Sequence, residues 1–293
     1  MIDAHAHIHD TAFDIDRNEM LRRAFDIGVH KILAIGTSVA ESRDAVSLAK
    51  TDDRIFATVA IHPHEFNEQG ARNKEQVRQL AKKSKEQKAG SKEVEISELR
   101  EIIAGNRERV VAVGECGLDF FGGGKGVSDE DKKMQTEGFL AHIALAREYE
   151  LPVIVHCRDA YEEVLEILRI KSSQLKACIL HCYMGDQAVT EKFLEIPNIV
   201  FSFAGNITYP VKKSLIGTKD DIHESLKCIP LSRILTETDC PSLAPQKYRG
   251  TRNEPAYVEE VVHAIADIKK TSSEEVERVT EENANQCFFG GRI

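Results

Sequence analysis

No run of apolar residues in this chain approaches the roughly 18 consecutive positions that a membrane-spanning helix requires, so none is predicted. The basic-then-apolar order of a secretion signal is also missing, because ionisable residues begin at Asp3. No CxxC pair occurs among the seven cysteines at 116, 157, 178, 182, 228, 240 and 287. An odd set without paired spacing reads as reduced thiols rather than a disulfide frame, and the expected location is cytoplasmic. A basic surplus is absent as well, since 39 Lys and Arg stand against 48 Asp and Glu for a formal net charge of −9. That argues against gripping nucleic acid by a general basic surface, yet leaves room for a nuclease whose divalent cations neutralise phosphate locally. Nor does a glycine-rich turn follow an early strand, as a doubly wound nucleotide-binding sheet would need.

Hydrophobic residues at 42% and charged residues at 30% describe a soluble globular protein with a sizeable core. Short runs rich in Val, Ile and Leu recur at Ile2–Ile8, Lys31–Ile35, Ile55–Ile61, Val110–Glu115, Pro152–His156, Ala177–His181, Ile199–Phe203 and Arg233–Glu237. They read as strands buried on both faces. Helical spacing lies between them, at Leu21, Ala24 and Phe25 before a Gly28 stop, and at Phe139, Ile143 and Ala146. It returns at Tyr161, Val164, Leu165 and Leu168, and at Val258, Val261, Val262 and Ile265. A last helix is expected from the capping box Ser272-Ser273-Glu274-Glu275. Strands alternating with helices predict an α/β (β/α)₈ TIM barrel forming a single domain over 1–293. Arg72–Lys92, with eight Lys or Arg, reads as a basic surface insertion around 70–95, either a solvated helix or a contact to substrate phosphates.

Chemistry gathers at the predicted strand ends. His5 and His7 stand two apart, so on a strand both imidazoles share a face. Glu115 ends the fourth strand, His156 and His181 end the fifth and sixth, and Asp239 follows the eighth. One histidine after an apolar run is often only a satisfied core residue. Several strands ending in ligand-type residues at the catalytic face of one barrel point instead to a site for two or three divalent cations. Imidazole with carboxylate suits Mg²⁺, Mn²⁺ or Zn²⁺ without choosing among them. A carboxylate such as Glu115 can bridge two cations, and Asp239 can ligate one while accepting a proton from water, so these two are the catalytic candidates.

The motifs resemble those of the TatD-type metal-dependent deoxyribonucleases, a branch of the amidohydrolase superfamily. The resemblance runs from Asp3-Ala-His-Ala-His7 through Ile61-His-Pro-His64, Gly114-Glu-Cys-Gly-Leu-Asp119 and Val155-His-Cys-Arg-Asp159. It continues through His181-Cys-Tyr-Met-Gly185, Phe201-Ser-Phe-Ala-Gly205, Glu237-Thr-Asp-Cys-Pro241 and Arg249-Gly-Thr-Arg-Asn-Glu-Pro255. It implies a first metal on His5, His7, Glu115 and Asp239, and a second on Glu115, His156 and His181. It further implies hydrolysis of phosphodiester bonds, in several members as a 3′-to-5′ exonuclease on single-stranded DNA. DNA, single-stranded or at 3′ ends, is therefore the expected partner, with no membrane and with a monomer as the simplest assembly. His62 and His64 resemble positions lining the substrate side, the alternative being packing beside Pro63. Arg158 is expected to bind phosphate or to pair with Asp159, and Arg249 is a further substrate candidate.

Three departures bear on substrate. The family's arginine after two aromatics is replaced by Gly122–Gly126 following Phe120-Phe121, with Lys125 a possible substitute; Ser242 stands where an aromatic is common; and the basic segment enlarges a loop. Two rival functions remain in view. One keeps the site but cuts other bonds, as an amidohydrolase, lactonase or aminoacyl-tRNA deacylase. The other is a non-catalytic metal-binding barrel.

Overall fold

The computed structural model describes residues 1–66, 85–122, 126–210 and 222–290. Eight strands lie side by side in chain order, every neighbouring pair parallel. They are β1 (Ile2–Ala6), β2 (Lys31–Ile35), β3 (Ile55–Val59), β4 (Val110–Asp119), β5 (Val153–Arg158), β6 (Cys178–Leu180), β7 (Ile199–Phe203) and β8 (Ile234–Thr236). Helices intervene as α1 (Arg17–Asp26), α2 (Val39–Ala49), α3 (Lys85–Gly105), α4 (Asp129–Tyr149), α5 (Tyr161–Lys171), α6 (Gln187–Leu194), α7 (Ile222–Cys228), α8 (Val258–Lys269) and α9 (Ser273–Ala284). This is the (β/α)₈ barrel, with parallel strands covered by helices as their apolar runs require.

The seam between β8 and β1 closes through side chain and loop rather than a ladder. Thr236 Oγ1 donates to Ile2 O at 3.2 Å, and beyond it Asp239 N donates to His5 O and His7 N to Cys240 O, each at 2.8 Å. First and last strands therefore meet at the residues carrying His5, His7 and Asp239.

The helix signals hold. Gly28 adopts φ of 96° just past α1, and Ser272 caps α9 by accepting from Glu275 N at 3.2 Å. The spaced apolar residues of α4, α5 and α8 are buried, except Tyr161, which is half-buried. Inside the barrel's lower half, Ile2, Ala4, Leu33, Ile35, Val111 and Ile154 pack against Phe288 and Phe289, from a π-helical turn over Asn285–Phe289. The basic segment Arg72–Lys92 lies outside the described residues up to residue 84; from Lys85 its backbone begins α3. Lys125 is likewise outside them. Among the described residues no helix is long and apolar enough to cross a membrane.

Candidate metal centre

Two β-bulges aim the ligand-type side chains. Along β1, Asp3 pairs with Ile32 but Ala6 with Ala34, so β1 gains one residue on its neighbour. Simple alternation would have faced His5 away from the interior that Ile2 and Ala4 line; the extra residue returns His5 and His7 to it. Along β4, Val113 pairs with Val153 but Cys116 with Val155, and the bulge brackets Glu115. Glycine is required on both sides. At Gly117, with φ of 142°, a Cβ would lie 2.1 Å from His156 O; at Gly114, with φ of 155°, it would lie 2.5 Å from Ile154 Cβ. Asp239 itself turns through φ of 55°, a left-handed conformation that aspartate tolerates better than branched residues.

Glu115 divides the cluster between its two oxygens. Oε2 lies 3.3 Å from His5 Nε2 and 3.9 Å from His7 Nε2. Oε1 lies 2.6 Å from His156 Nδ1, 2.8 Å from His181 Nε2 and 3.5 Å from His62 Nε2. Asp239 joins the first group, its Oδ1 being 3.4 Å from His7 Nε2 and 3.6 Å from His5 Nε2. The rings of His5 and His181 stack with centroids 4.0 Å apart, which joins the two groups. All six residues expected to bind metal thus converge at one place.

Burial would raise the Glu115 carboxyl, but His181 and His62, with bonds from His156 and His181, hold it well below the usual carboxylate range. Burial also opposes ionisation of Asp239, yet the His7 bond and the nearby imidazoles lower its pKa. Burial, reinforced by His181, pushes His5 down, which favours the neutral imidazole and leaves one ring nitrogen's lone pair to coordinate. His181 goes the other way: burial disfavours its charge, but Glu115 outweighs burial and raises it well above normal.

Supporting groups that sequence reasoning did not single out surround this cluster. Buried Glu237 places Oε1 3.4 Å from His181 Nδ1 and accepts from Cys182 N at 2.7 Å. Buried Asp3 accepts from Thr238 N at 2.9 Å and from Thr238 Oγ1 at 2.6 Å, tying β1 to the turn before Asp239; burial pushes its carboxyl up to about 8. Asp119 Oδ2 lies 3.0 Å from His156 Nε2 and 2.8 Å from His64 Nε2. Buried Asn253 donates to Thr238 O at 2.8 Å and Ser242 O at 2.6 Å, stapling the loop that bears Asp239. The only sequence signal for these residues is that they sit inside the quoted motifs.

Of the expected substrate residues, His62 enters the Glu115 cluster and His64 reaches Asp119 from a half-exposed position. His62 N also donates to Thr37 O at 2.8 Å, so this segment is held against the barrel rather than merely packed beside Pro63. Arg158 makes no pair with Asp159; its guanidinium lies 3.6 Å over the Phe121 ring. Arg249 stands apart from the cluster, 4.2 Å over Tyr209.

The residues fit a cation on two counts. Both ring nitrogens of fully buried His5, and Nδ1 of His181, lack an aligned hydrogen-bond partner, a costly state for groups enclosed away from water. In addition, His5, His7 and Glu115 offer ligand atoms within 4.8 Å of one another, as do His62, Glu115 and His156, and His5, His181 and Glu237. A histidine and carboxylate cluster at the C-terminal mouth of this barrel is the site of a metal-dependent hydrolase. The family model for TatD-related DNases matches residues 2–289, and the chain belongs to that family.

Individual relatives agree. The uncharacterized metal-dependent hydrolase YabD of Bacillus subtilis is 32% identical over 288 residues, covering 98% of each chain. The 3′-5′ ssDNA/RNA exonuclease TatD of Erwinia tasmaniensis is 31% identical over 293 residues, covering 98% of this chain and 99% of its own. Among solved structures, the TatD homologue YJJV of Escherichia coli superposes with a TM-score of 0.80 at 24% identity, over 98% of this chain and 97% of that one, and shares the fold.

Proposed function

We propose that the chain is a phosphodiesterase that trims DNA from 3′ ends with two divalent cations, Mg²⁺, Mn²⁺ or Zn²⁺. One observation carries this reading: each Glu115 oxygen faces its own histidine set, His5 and His7 on one side, His156 and His181 on the other. His5, His7, Asp239 and Oε2 would hold the first cation; His156, His181 and Oε1 the second. When bound, the pair supplies Lewis acidity to the phosphate and acidifies the attacking water. Asp239, whose lowered pKa keeps it ionised, then accepts the proton of that water. His62 and His64 orient the substrate beside Glu115 and Asp119, and Arg158 and Arg249 bind phosphates. The nuclease name borne by the Erwinia relative supports this choice of substrate, and a cytoplasmic location accords with the reduced thiols.

The rival amidohydrolase or deacylase reading would use the same cluster. Many enzymes of that kind bridge their metals with a modified lysine, whereas here Glu115 would take that place. A panel of single-stranded DNA, p-nitrophenyl phosphodiesters, small amides and charged transfer RNA, assayed with each metal restored, should show turnover on the first two alone. Turnover confined to amides or acyl esters would overturn the proposal. Within it, Asp239→Asn keeps one coordinating oxygen but loses the proton acceptor, so kcat should fall at least ~10²-fold with the second metal retained. Near-normal kcat with both metals bound would move the base elsewhere.

A further inference from the structure

Most arginines among the described residues hold an acid or a carbonyl: Arg23 binds Glu254 at 2.6 Å and Arg252 binds Asp16 at 2.7 Å. Arg158 and Arg249 make no hydrogen bond or ion pair through their side chains among the described residues; Arg158 is the last residue of β5, and Arg249 lies in the loop after β8. Each rests instead on a ring, Phe121 and Tyr209 respectively. The two rings differ. Tyr209 is half-buried, with its hydroxyl donating to Ala244 O at 3.0 Å. Phe121 is 48% exposed and is the only aromatic among the exposed large hydrophobic residues of the described chain.

Phe121 is also held in place. Its N–H donates to Asp119 Oδ1 at 2.9 Å, while Oδ2 of that carboxylate lies 3.0 Å from His156 Nε2. Phe120 N donates to Arg158 O at 2.8 Å, prolonging the β4–β5 ladder beyond the site. The backbone that carries ring and guanidinium is therefore tied to the carboxylate that meets His156.

From this geometry we infer that Phe121 and Arg158 form a seat for one unpaired nucleobase at the strand end being cut, an inference that rests on the nuclease reading. With the Arg158 guanidinium on one face, the half-exposed Phe121 ring offers its other face to a base, and the guanidinium keeps its N–H edges for the adjoining phosphate. A base inside a duplex is already stacked between neighbours, so it reaches Phe121 only after leaving the stack. The seat thus selects single-stranded ends, and Arg249 beside the tethered Tyr209 serves the backbone alone.

The test compares KM for two trinucleotides, one ending in 3′ thymidine and one in a 3′ abasic sugar, for wild type, Phe121→Leu and Phe121→Trp. The wild type should favour the base-bearing end by about 10-fold, within the range of one stacked base. Phe121→Leu, which keeps bulk but loses the π face, should bring that ratio towards one, and Phe121→Trp should keep or raise it. A ratio unaltered in Phe121→Leu, or a wild type indifferent to the missing base, would overturn the seat while leaving the nuclease intact. Failure of the wild type to cut either trinucleotide with Mg²⁺, Mn²⁺ or Zn²⁺ would overturn both together.

Discussion

At the floor of the barrel, Phe288 and Phe289 close the interior against Ile2, Ala4, Leu33 and Val111, with Phe56 meeting Phe289 edge-on at 4.6 Å. At the mouth, the same strands enclose imidazoles and carboxylates, some without an aligned partner. Burying aromatic rings stabilises the chain, whereas burying ionised groups costs free energy unless they are paired or bound to metal. The floor therefore holds the fold, and the mouth is tolerated because that floor and the surrounding helices hold it. Stability and activity should then respond separately to changes at the two ends.

The largest effect is expected at Glu115. Glu115→Gln should lose more activity than the ~10–100-fold that supporting residues of metal sites cost, with reduced occupancy of both cations. Added Mn²⁺ should raise the melting temperature of the wild type, because it binds the folded state alone, and raise that of the variant far less. Two cations per chain with near-normal turnover would show that Glu115 is no bridge.

At the other end, Phe288→Ala should cost about 3–5 kcal/mol in urea unfolding, the usual cost of emptying a buried aromatic site. Its kcat per folded molecule should stay as in the wild type. A fall in kcat without loss of stability would mean that floor and mouth are not separate.

A smaller effect sharpens the comparison at His142, on helix α4 outside the strands. Buried His142 accepts from Ile61 N at 3.0 Å through Nε2, so Nδ1 carries the proton toward Gly138 O at 2.7 Å. Burial pushes its pKa down to about 4 from 6.5, against the favourable Gly138 contact. A depressed folded pKa means that the contribution is whole above about pH 6.5 and is lost as pH falls towards 4. The shift sets an upper limit of about 3 kcal/mol on this pH-dependent part. Across that interval His142→Asn should lose less stability than the wild type, measured by urea midpoints; equal losses in both proteins would clear His142.

The sequence carried the barrel well where strands are plain. Lys31–Ile35 and Ile199–Phe203 are strands over the expected residues, because apolar runs buried on both faces leave little choice of boundary. It carried β4 less well. The strand expected to stop at Glu115 continues to Asp119, since the glycine at 117 that reads as a break is there for close passage of the His156 carbonyl. Bulges in β1 and β4 were illegible too, because a two-residue period has no mark for one inserted residue. The six ligand-type residues could be found because His5 and His7 share one strand face by their spacing and the other four end or follow an apolar run. Glu237, Asp3 and Asn253 could not, because what marks them is hydrogen bonds to residues 15 to 235 positions away in sequence.

That seam has a consequence for synthesis. Asp239 reaches His5 only when the eighth strand closes on the first, through the bonds between Asp239 N and His5 O and between His7 N and Cys240 O. On the ribosome His5 is therefore made long before Asp239, 234 positions later, and the centre cannot assemble until the eighth strand has followed. Prematurely ended chains that lack the last strand carry Glu115 and all its imidazoles, yet no Asp239 to complete them. If Asp239 acts as proposed, such fragments should be inactive until the barrel closes.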